Sequence, residues 1–435
     1  MAEEITWPLQ LYRLATTALS PFLGGLLAWR ARKGKEDRKR SAERRGIPSR
    51  ERPYGPLAWL HGASVGETIS LLPIVERLTR QGFTVLVTSG TVTSARLLAA
   101  RLPANSLHQF MPLDVPHFMR RFLDHWRPDL VLIVESEIWP NALIEIKERG
   151  VPVLLLNARM SERSFQRWRR LPATASSTLQ HFDLCLAQSA ADGERLERLG
   201  APRVIVAGNI KYDVPAPPAN PATVATLSAL IGERPVWVAA STHPGEDELV
   251  LRAHQLLARE RPNMLTIIIP RHPERGPDIA ALAARQGLTV GLRSQGALPD
   301  RHNSVHIADT IGELGLFYRL SPVAFIGGSL VPHGGQNPIE PAKLGTVVIH
   351  GPHIRNFAAV YEALDRVDAS GMSGACPVED VGTLAGAVHA LLAHPAHARA
   401  MARLAAQTVT ELGGAVEATM QAIDPYILHM HLNTR

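Results

Sequence analysis

Residues Gly327 to Pro341 (GGSLVPHGGQNPIEP) gather glycines, a histidine, two amide side chains and a carboxylate between an apolar run, Val323-Ala324-Phe325-Ile326, and a stretch that begins as a helix near Ile339. Pro338 suits a first helical position. Strand, glycine-rich turn and helix aim free backbone N–H groups at an anion, so the backbone of Gly334, Gly335, Gln336 and Asn337 is expected to hold a nucleotide phosphate.

Further polar clusters follow other apolar runs, and ligands of open α/β sheets sit beyond the carboxyl ends of strands. In His61-Gly62-Ala63-Ser64-Val65-Gly66-Glu67, Ser64 and Glu67 have the spacing of a capping box. Glu67 reads either as a cap, or as a base that takes a proton from an acceptor hydroxyl. Glu135-Ser136-Glu137 sets two carboxylates two residues apart, as loop charges or as a grip on sugar hydroxyls. Arg159 suits a phosphate or carboxylate held bidentately, or an ordinary ion pair. Lys211 offers a point charge to a phosphate. Ser241 to Glu246 and Pro270 to Arg275 each concentrate polar residues in one loop, functional or merely solvated. None of the 18 histidines falls in a convincing metal-binding pair, so no metal is expected.

Strand and helix patterns alternate from Pro56 onward, the mark of a parallel sheet with crossover helices. Strands are expected at 57–60, 84–88, 130–134, 153–156, 184–187 and 204–206, then at 236–240, 265–269, 288–292, 323–326 and 347–349. Helices are expected at 66–80, 93–101, 245–260, 278–286, 311–318, 339–344, 356–367 and 381–411. The prolines of Pro215-Ala216-Pro217-Pro218-Ala219-Asn220-Pro221 forbid regular structure and mark a linker. The chain thus divides into an N-terminal anchor and basic tract (1–52), a first α/β domain (53–213), the linker (214–221) and a second α/β domain (222–435), whose final helix is free to return to the first.

A length of 435 residues suits about two domains. The formal charge of +6 is local: 11 Lys or Arg against 4 Asp or Glu lie between Arg30 and Arg52, leaving the rest at −1, which argues against nucleic acid as a partner. Cys185 and Cys376 are too few for a disulfide framework. Ahead of the basic tract, Leu14 to Trp29 is uncharged and mostly apolar, short of the roughly 20 residues a bilayer span needs. It reads as a membrane anchor whose following positive charges favour anionic headgroups and a cytoplasmic bulk, or as an apolar helix packed on the protein's own surface.

Taken in order, HGASVGE, ESEIWPN, NARMSERS, GNIKYD, STHPGEDE, PRHPER, DTIGEL, FIGGSLV, GGQNPIEP and GPHIRNF resemble the 3-deoxy-D-manno-octulosonic acid (Kdo) transferases, from about Trp59 to Phe357. The resemblance implies a GT-B glycosyltransferase, two Rossmann-like domains facing across a cleft, that moves Kdo from CMP-Kdo to the lipid A precursor with inversion. It implies no cofactor and a place on the cytoplasmic face of a Gram-negative inner membrane, in contact with its lipids. It makes Glu67 the general base. It assigns Lys211, Ser241, Thr242, Arg271, His272, Gly312, Glu313, Gly334, Gly335, Gln336, Asn337 and, on ribose hydroxyls, Glu340 to the donor. Ser64, Gly66, Glu135, Arg159 and Ser161 are assigned to the acceptor. One position departs: the family usually has histidine where this chain has Gln336, and glutamine cannot become cationic. Heptosyltransferases and sugar-nucleotide epimerases share the architecture, and a non-catalytic membrane-surface scaffold is the rival of another class.

Overall fold

Runs such as Leu57–His61 and Leu130–Val134 are buried at every position, which a strand achieves only where both faces of its sheet are covered. Alternate residues of the first run divide accordingly: Leu57 and Trp59 enter one apolar core, Ala58 and Leu60 another. The computed structural model describes residues 6–433. It contains two units, Met1–Val214 with Gly413–Arg435 (unit 1) and Pro215–Leu412 (unit 2).

In unit 1, strands β1 (Leu57–His61), β2 (Thr84–Ser89), β3 (Ser106–Phe110), β4 (Leu130–Val134), β5 (Val153–Ala158), β6 (Leu184–Ala187) and β7 (Val204–Val206) form a parallel sheet in the order β3-β2-β1-β4-β5-β6-β7. Unit 2 holds β8 (Val236–Thr242), β9 (Leu265–Pro270), β10 (Val290–Leu292), β11 (Val305–Ile307), β12 (Val323–Ile326), β13 (Val347–His350) and β14 (Ala375–Pro377), in the order β10-β11-β9-β8-β12-β13-β14, again all parallel. The strand order reverses direction between β1 and β4 and between β8 and β12, the places where such sheets bind ligands.

Three strands escape the sequence pattern: β3, β11 and β14 are short, and β3 is only half-buried over its first three residues. The helix expected over 381–411 is two helices, Val381–Ala393 and Pro395–Glu411, because Pro395 removes an N–H and forces His394 out of helical geometry. Both stay in unit 2; the helix that packs in unit 1 is a separate one, Ala415–Asn433. Asp213 fixes its start, accepting the N–H groups of Gly414 at 2.7 Å and Val416 at 2.5 Å. Val416, Met420, Ile423 and Ile427 then complete the core beside the helix Val65–Arg80.

The N-terminal segment forms the helices Trp7–Leu19 and Leu23–Arg32 with their amphipathicity turned inside out. Inward, Tyr12 donates to Asp114 (3.0 Å), Arg13 pairs with the fully buried Glu145 (3.0 Å), and Thr16 accepts from Asn141 (3.1 Å). Outward, Trp7, Leu11, Leu14, Leu19 and Phe22 are each more than half exposed. The apolar face therefore does not pack on the protein's own surface. The basic tract divides as well: Arg30 and Arg44 pair with buried Glu36, Arg40 pairs with Glu43, and Arg52 donates to the Trp126 carbonyl. Arg32, Lys33, Lys35, Arg38, Lys39, Arg45 and Arg50 stay exposed.

Two buried histidines of unit 2 make its stability depend on pH. Burial, with Arg234 nearby, lowers the pKa of His254 to about 4; burial, with Arg293 nearby, does the same for His306. An unfolded imidazole titrates near 6.5, so on acidification the unfolded chain takes up protons first. Stability is intact above pH 6.5 and is lost as pH falls from there toward about 4. With His243, whose pKa burial also lowers to about 4, the three rings should cost roughly 4 kcal/mol per pH unit in that window, and His306→Leu should lower the slope by about a third, as urea unfolding at pH 7.5, 6 and 5 would measure.

Candidate active site

In unit 1 the turn after β1 is held by its own side chains. The Ser64 hydroxyl donates to Glu67 Oε1 at 2.5 Å and accepts the Glu67 N–H at 3.3 Å, while the Ala63 N–H donates to Glu67 Oε2 at 2.8 Å. Glu67 is 9% exposed. The capping reading is therefore realised, yet it leaves the other reading standing. A carboxylate offers about four lone-pair sites, and the turn occupies one on each oxygen. The cap thus orients a carboxylate that still has capacity to accept a proton. Gly66 is exposed with open space where a side chain would begin.

Around it stand groups from neighbouring strand ends. His61, buried, takes Thr88 Oγ1 at 2.9 Å on Nδ1 and faces Glu137 across 3.7 Å from Nε2. Burial pushes the Glu137 pKa up, but His61 and the Trp139 indole, 2.9 Å away, hold it below the ordinary carboxylate value. Glu135, after β4, and Asn157, within β5, have φ of +61° and +50°, a left-handed backbone that costs about 1–3 kcal/mol at a non-glycine residue. Asn157 secures its own turn by accepting the Ile210 N–H at 3.0 Å.

Lys211 departs from expectation. Its ammonium is ion-paired with the Glu135 carboxylate, both in unit 1, rather than standing free for a donor phosphate. Arg159 is exposed, with no hydrogen bond or ion pair for its guanidinium among the described residues. Ser161 caps its own helix, accepting the Ser164 N–H at 3.3 Å.

In unit 2 the glycine-rich turn contradicts the expected phosphate cradle. The N–H groups of Gly334 and Gly335 donate to the Gly328 carbonyl, and that of Gln336 to Gly327, so the turn itself consumes three of the four expected amides, all but that of Asn337. The helix that follows, Ile339–Lys343, is five residues long and has little dipole to offer. An anion does sit in the turn, but it is the protein's own. Glu246 Oε1 accepts the N–H groups of Ser329 and Leu330, both at 3.0 Å; Oε2 accepts those of Gly328 at 2.6 Å and His243 at 2.9 Å. Burial pushes the Glu246 pKa up and the four amides pull it back. Gly327 is required here because a Cβ would collide with the Ser241 carbonyl.

With three of those amides spent, the polar side chains of the surrounding loops matter more. Arg271 is exposed and its guanidinium is unpaired among the described residues; His272 is exposed. Gln336 reaches His243 through Nε2 at 2.9 Å. Ser241, at φ +58°, turns the chain at the end of β8. Thr242 is a correction: it is fully buried and its hydroxyl donates to Asp247 at 2.7 Å, so that hydroxyl is spent within the protein. Glu313 is likewise engaged, bonded by Arg293 at 2.7 Å and by Thr310, which holds its pKa low. Gly312 gives the neighbouring exposed turn its φ of +88°. Asn337 accepts the Ile339 N–H at 3.0 Å and donates to Glu340 at 3.3 Å. Sequence reasoning placed His61, Glu137, His243, Glu246 and His333 within its polar clusters but gave them no settled role. Their one signal is position: all but His333 lie at or just beyond a strand's carboxyl end.

The family model described as 3-Deoxy-D-manno-octulosonic-acid transferase (kdotransferase) matches residues 39–214. A 3-deoxy-D-manno-octulosonic acid transferase of Haemophilus influenzae is 34% identical over 398 residues, 90% of this chain and 92% of that one. One from Bordetella pertussis is 35% identical over 428 residues, 96% of this chain and 99% of that one. A glycosyltransferase structure from Rickettsia africae, 14% identical, matches with a TM-score of 0.58 over 86% of this chain and 99% of that one, a likeness of fold, and that fold is GT-B.

Glu246 supports the turn, so its loss has a stated cost. In Glu246→Gln one oxygen becomes an NH2 group facing two backbone N–H donors, each left unpaired at about 1–3 kcal/mol. Urea unfolding should show unit 2 destabilised by about 2–6 kcal/mol.

Proposed function

We propose, for a chain that belongs to the Kdo transferase family and transfers Kdo, that CMP-Kdo is the donor, that a primary hydroxyl of the lipid A precursor is the acceptor, and that Glu67 removes its proton. The observation that carries the assignment of the base is the tether on both Glu67 oxygens, which fixes the carboxylate without exhausting its lone pairs. Deprotonation prepares the hydroxyl oxygen to attack the anomeric carbon of Kdo as CMP leaves. One displacement inverts the configuration.

The transition state resembles an oxocarbenium ion, partly offset by the sugar's own carboxylate, while negative charge grows on the departing phosphate. Fixed positive groups are most effective where charge develops. In unit 2 that work falls to Arg271 and His272 with the Gln336 side-chain amide and the Asn337 N–H, since the N–H groups of Gly334, Gly335 and Gln336 are occupied. Glu340 takes the ribose hydroxyls. In unit 1 the Glu135–Lys211 pair offers an acceptor and a donor to sugar hydroxyls, and Arg159 a free cation to an acidic substituent.

The reversed N-terminal helices support attachment to the cytoplasmic face of the inner membrane. Among the described residues no helix is long and apolar enough to cross a membrane. A helix held down by Tyr12, Arg13 and Thr16 presents its apolar face outward, as an interfacial helix does. The exposed basic residues add roughly 1 kcal/mol each near anionic lipid.

Glu67→Gln keeps nearly the same volume without the basicity. Turnover of CMP-Kdo with lipid A precursor should fall about 10²-fold or more with the melting temperature little changed, and parental turnover would remove Glu67 from the chemistry. The parent should use CMP-Kdo and not ADP-heptose or UDP-sugars. Leu14→Glu with Phe22→Glu should weaken binding to anionic liposomes at least about tenfold in a flotation assay, each residue giving up its apolar burial.

A further inference from the structure

The imidazoles of His243 and His333 stack in unit 2 with ring centroids 3.7 Å apart and planes 27° from parallel. His272 stands edge-on to His243 at 6.2 Å, and Gln336 Nε2 lies 2.9 Å from His243 Nε2. The charged groups facing His243 are Arg271 and Arg275, with His272 and His333. Carboxylates are close in the chain but engaged elsewhere. Glu246 is held by four amides, one of them the His243 N–H, and Asp247 pairs with Arg275. Among the described residues no carboxylate hydrogen-bonds to either stacked ring.

This is a concentration of cationic and protonatable groups whose carboxylate contact is made at its edge, where exposed Glu274 stands 3.8 Å from His272 Nδ1. Burial first, then repulsion from His333, His272, Arg271 and Arg275, lowers the His243 pKa to about 4, so His243 is neutral at pH 7. Gln336 suits both protonation states. Its NH2 donates to an unprotonated Nε2, and its oxygen, after rotation of the amide, accepts from a protonated one.

We propose that the stacked His243–His333 pair is a proton-taking phosphate site: when a cytidine nucleotide's phosphate enters beside Arg271 and His272, the pair binds one proton from solvent and supplies a cation against it. The inference rests on CMP-Kdo being the donor. An anion at this distance favours the charged imidazole, reversing the bias set by the arginines. Two rings 3.7 Å apart hold one proton and not two, since like charges so close repel. No nucleotide bond forms or breaks in the step. The proton stays on the protein while the phosphate is bound and returns to solvent when CMP departs.

The test is calorimetric titration of the full chain with CMP at pH 7.5, where its phosphate is already dianionic, in two phosphate-free buffers of different ionisation enthalpy. Uptake near one proton per CMP is expected, with affinity falling up to about tenfold per pH unit toward pH 8.5. His333→Asn and His243→Asn should each remove most of the uptake and flatten the pH dependence. His333→Lys, which carries a fixed charge, should recover affinity without recovering uptake, a separation that a merely structural role would not produce. Wild-type binding without uptake, or uptake lost in His272→Asn but kept in the other two variants, overturns the assignment. A folded protein that does not bind CMP at all overturns the donor reading, and this site with it.

Discussion

Four backbone N–H groups from two separate loops of unit 2 end on one buried carboxylate, Glu246, and the form of the candidate donor site follows from that convergence. The side chain belongs to the helix after β8, whereas three of the amides belong to the turn after β12. These strands are neighbours at the point where the sheet's order reverses. A carboxylate can accept all four bonds, and an amide side chain in its place would oppose donor to donor. The turn is thereby fixed by the protein's own groups, and the amides of Gly328, Ser329, Leu330, Gly334, Gly335 and Gln336 are all engaged within it. The side chains that the turn and its neighbours project, His243, His333, Gln336 and Arg271, are those on which the proposed anion site rests.

Unit 1 uses the same economy of short polar contacts. Glu67 closes the turn after β1, Asn157 closes the end of β5 onto Ile210, and Asp213 starts the C-terminal helix. The left-handed backbones of Glu135 and Asn157 are unfavourable by themselves and persist because such contacts over-determine them. The result is a rim of fixed carboxylates, one histidine and one free arginine at strand ends. In that setting capping and base catalysis are not alternatives for Glu67, because the bonds that make it a cap are those that orient it.

The N-terminal helices show a different constraint. An ordinary surface helix turns its apolar stripe inward, but here the inward positions carry Tyr12, Arg13 and Thr16, matched to Asp114, Glu145 and Asn141. Arg13 joins Arg149 and Arg120 on the buried Glu145 carboxylate, so polar pairing favours this orientation. The apolar residues are left outward as its consequence. Part of the adjoining basic tract is used in the same way, with Arg44 buried against Glu36.

The sequence by itself determined the alternation of strand and helix in both units, the residues that close each strand, the Ser64–Glu67 cap and, through ten ordered motifs, the family. These are local properties: apolar runs, turn chemistry and short spacings are complete within a few residues. Edge strands such as β3 and β14 were not legible, because a short half-buried run becomes a strand only when a neighbour pairs with it. Only the tertiary structure decided that Glu246 takes the amides of Gly328, Ser329 and Leu330, that Lys211 spends its charge on Glu135, and that His243 meets His333. In those cases the partners lie tens of residues apart, and which donor a buried acceptor captures depends on the distance between loops after folding.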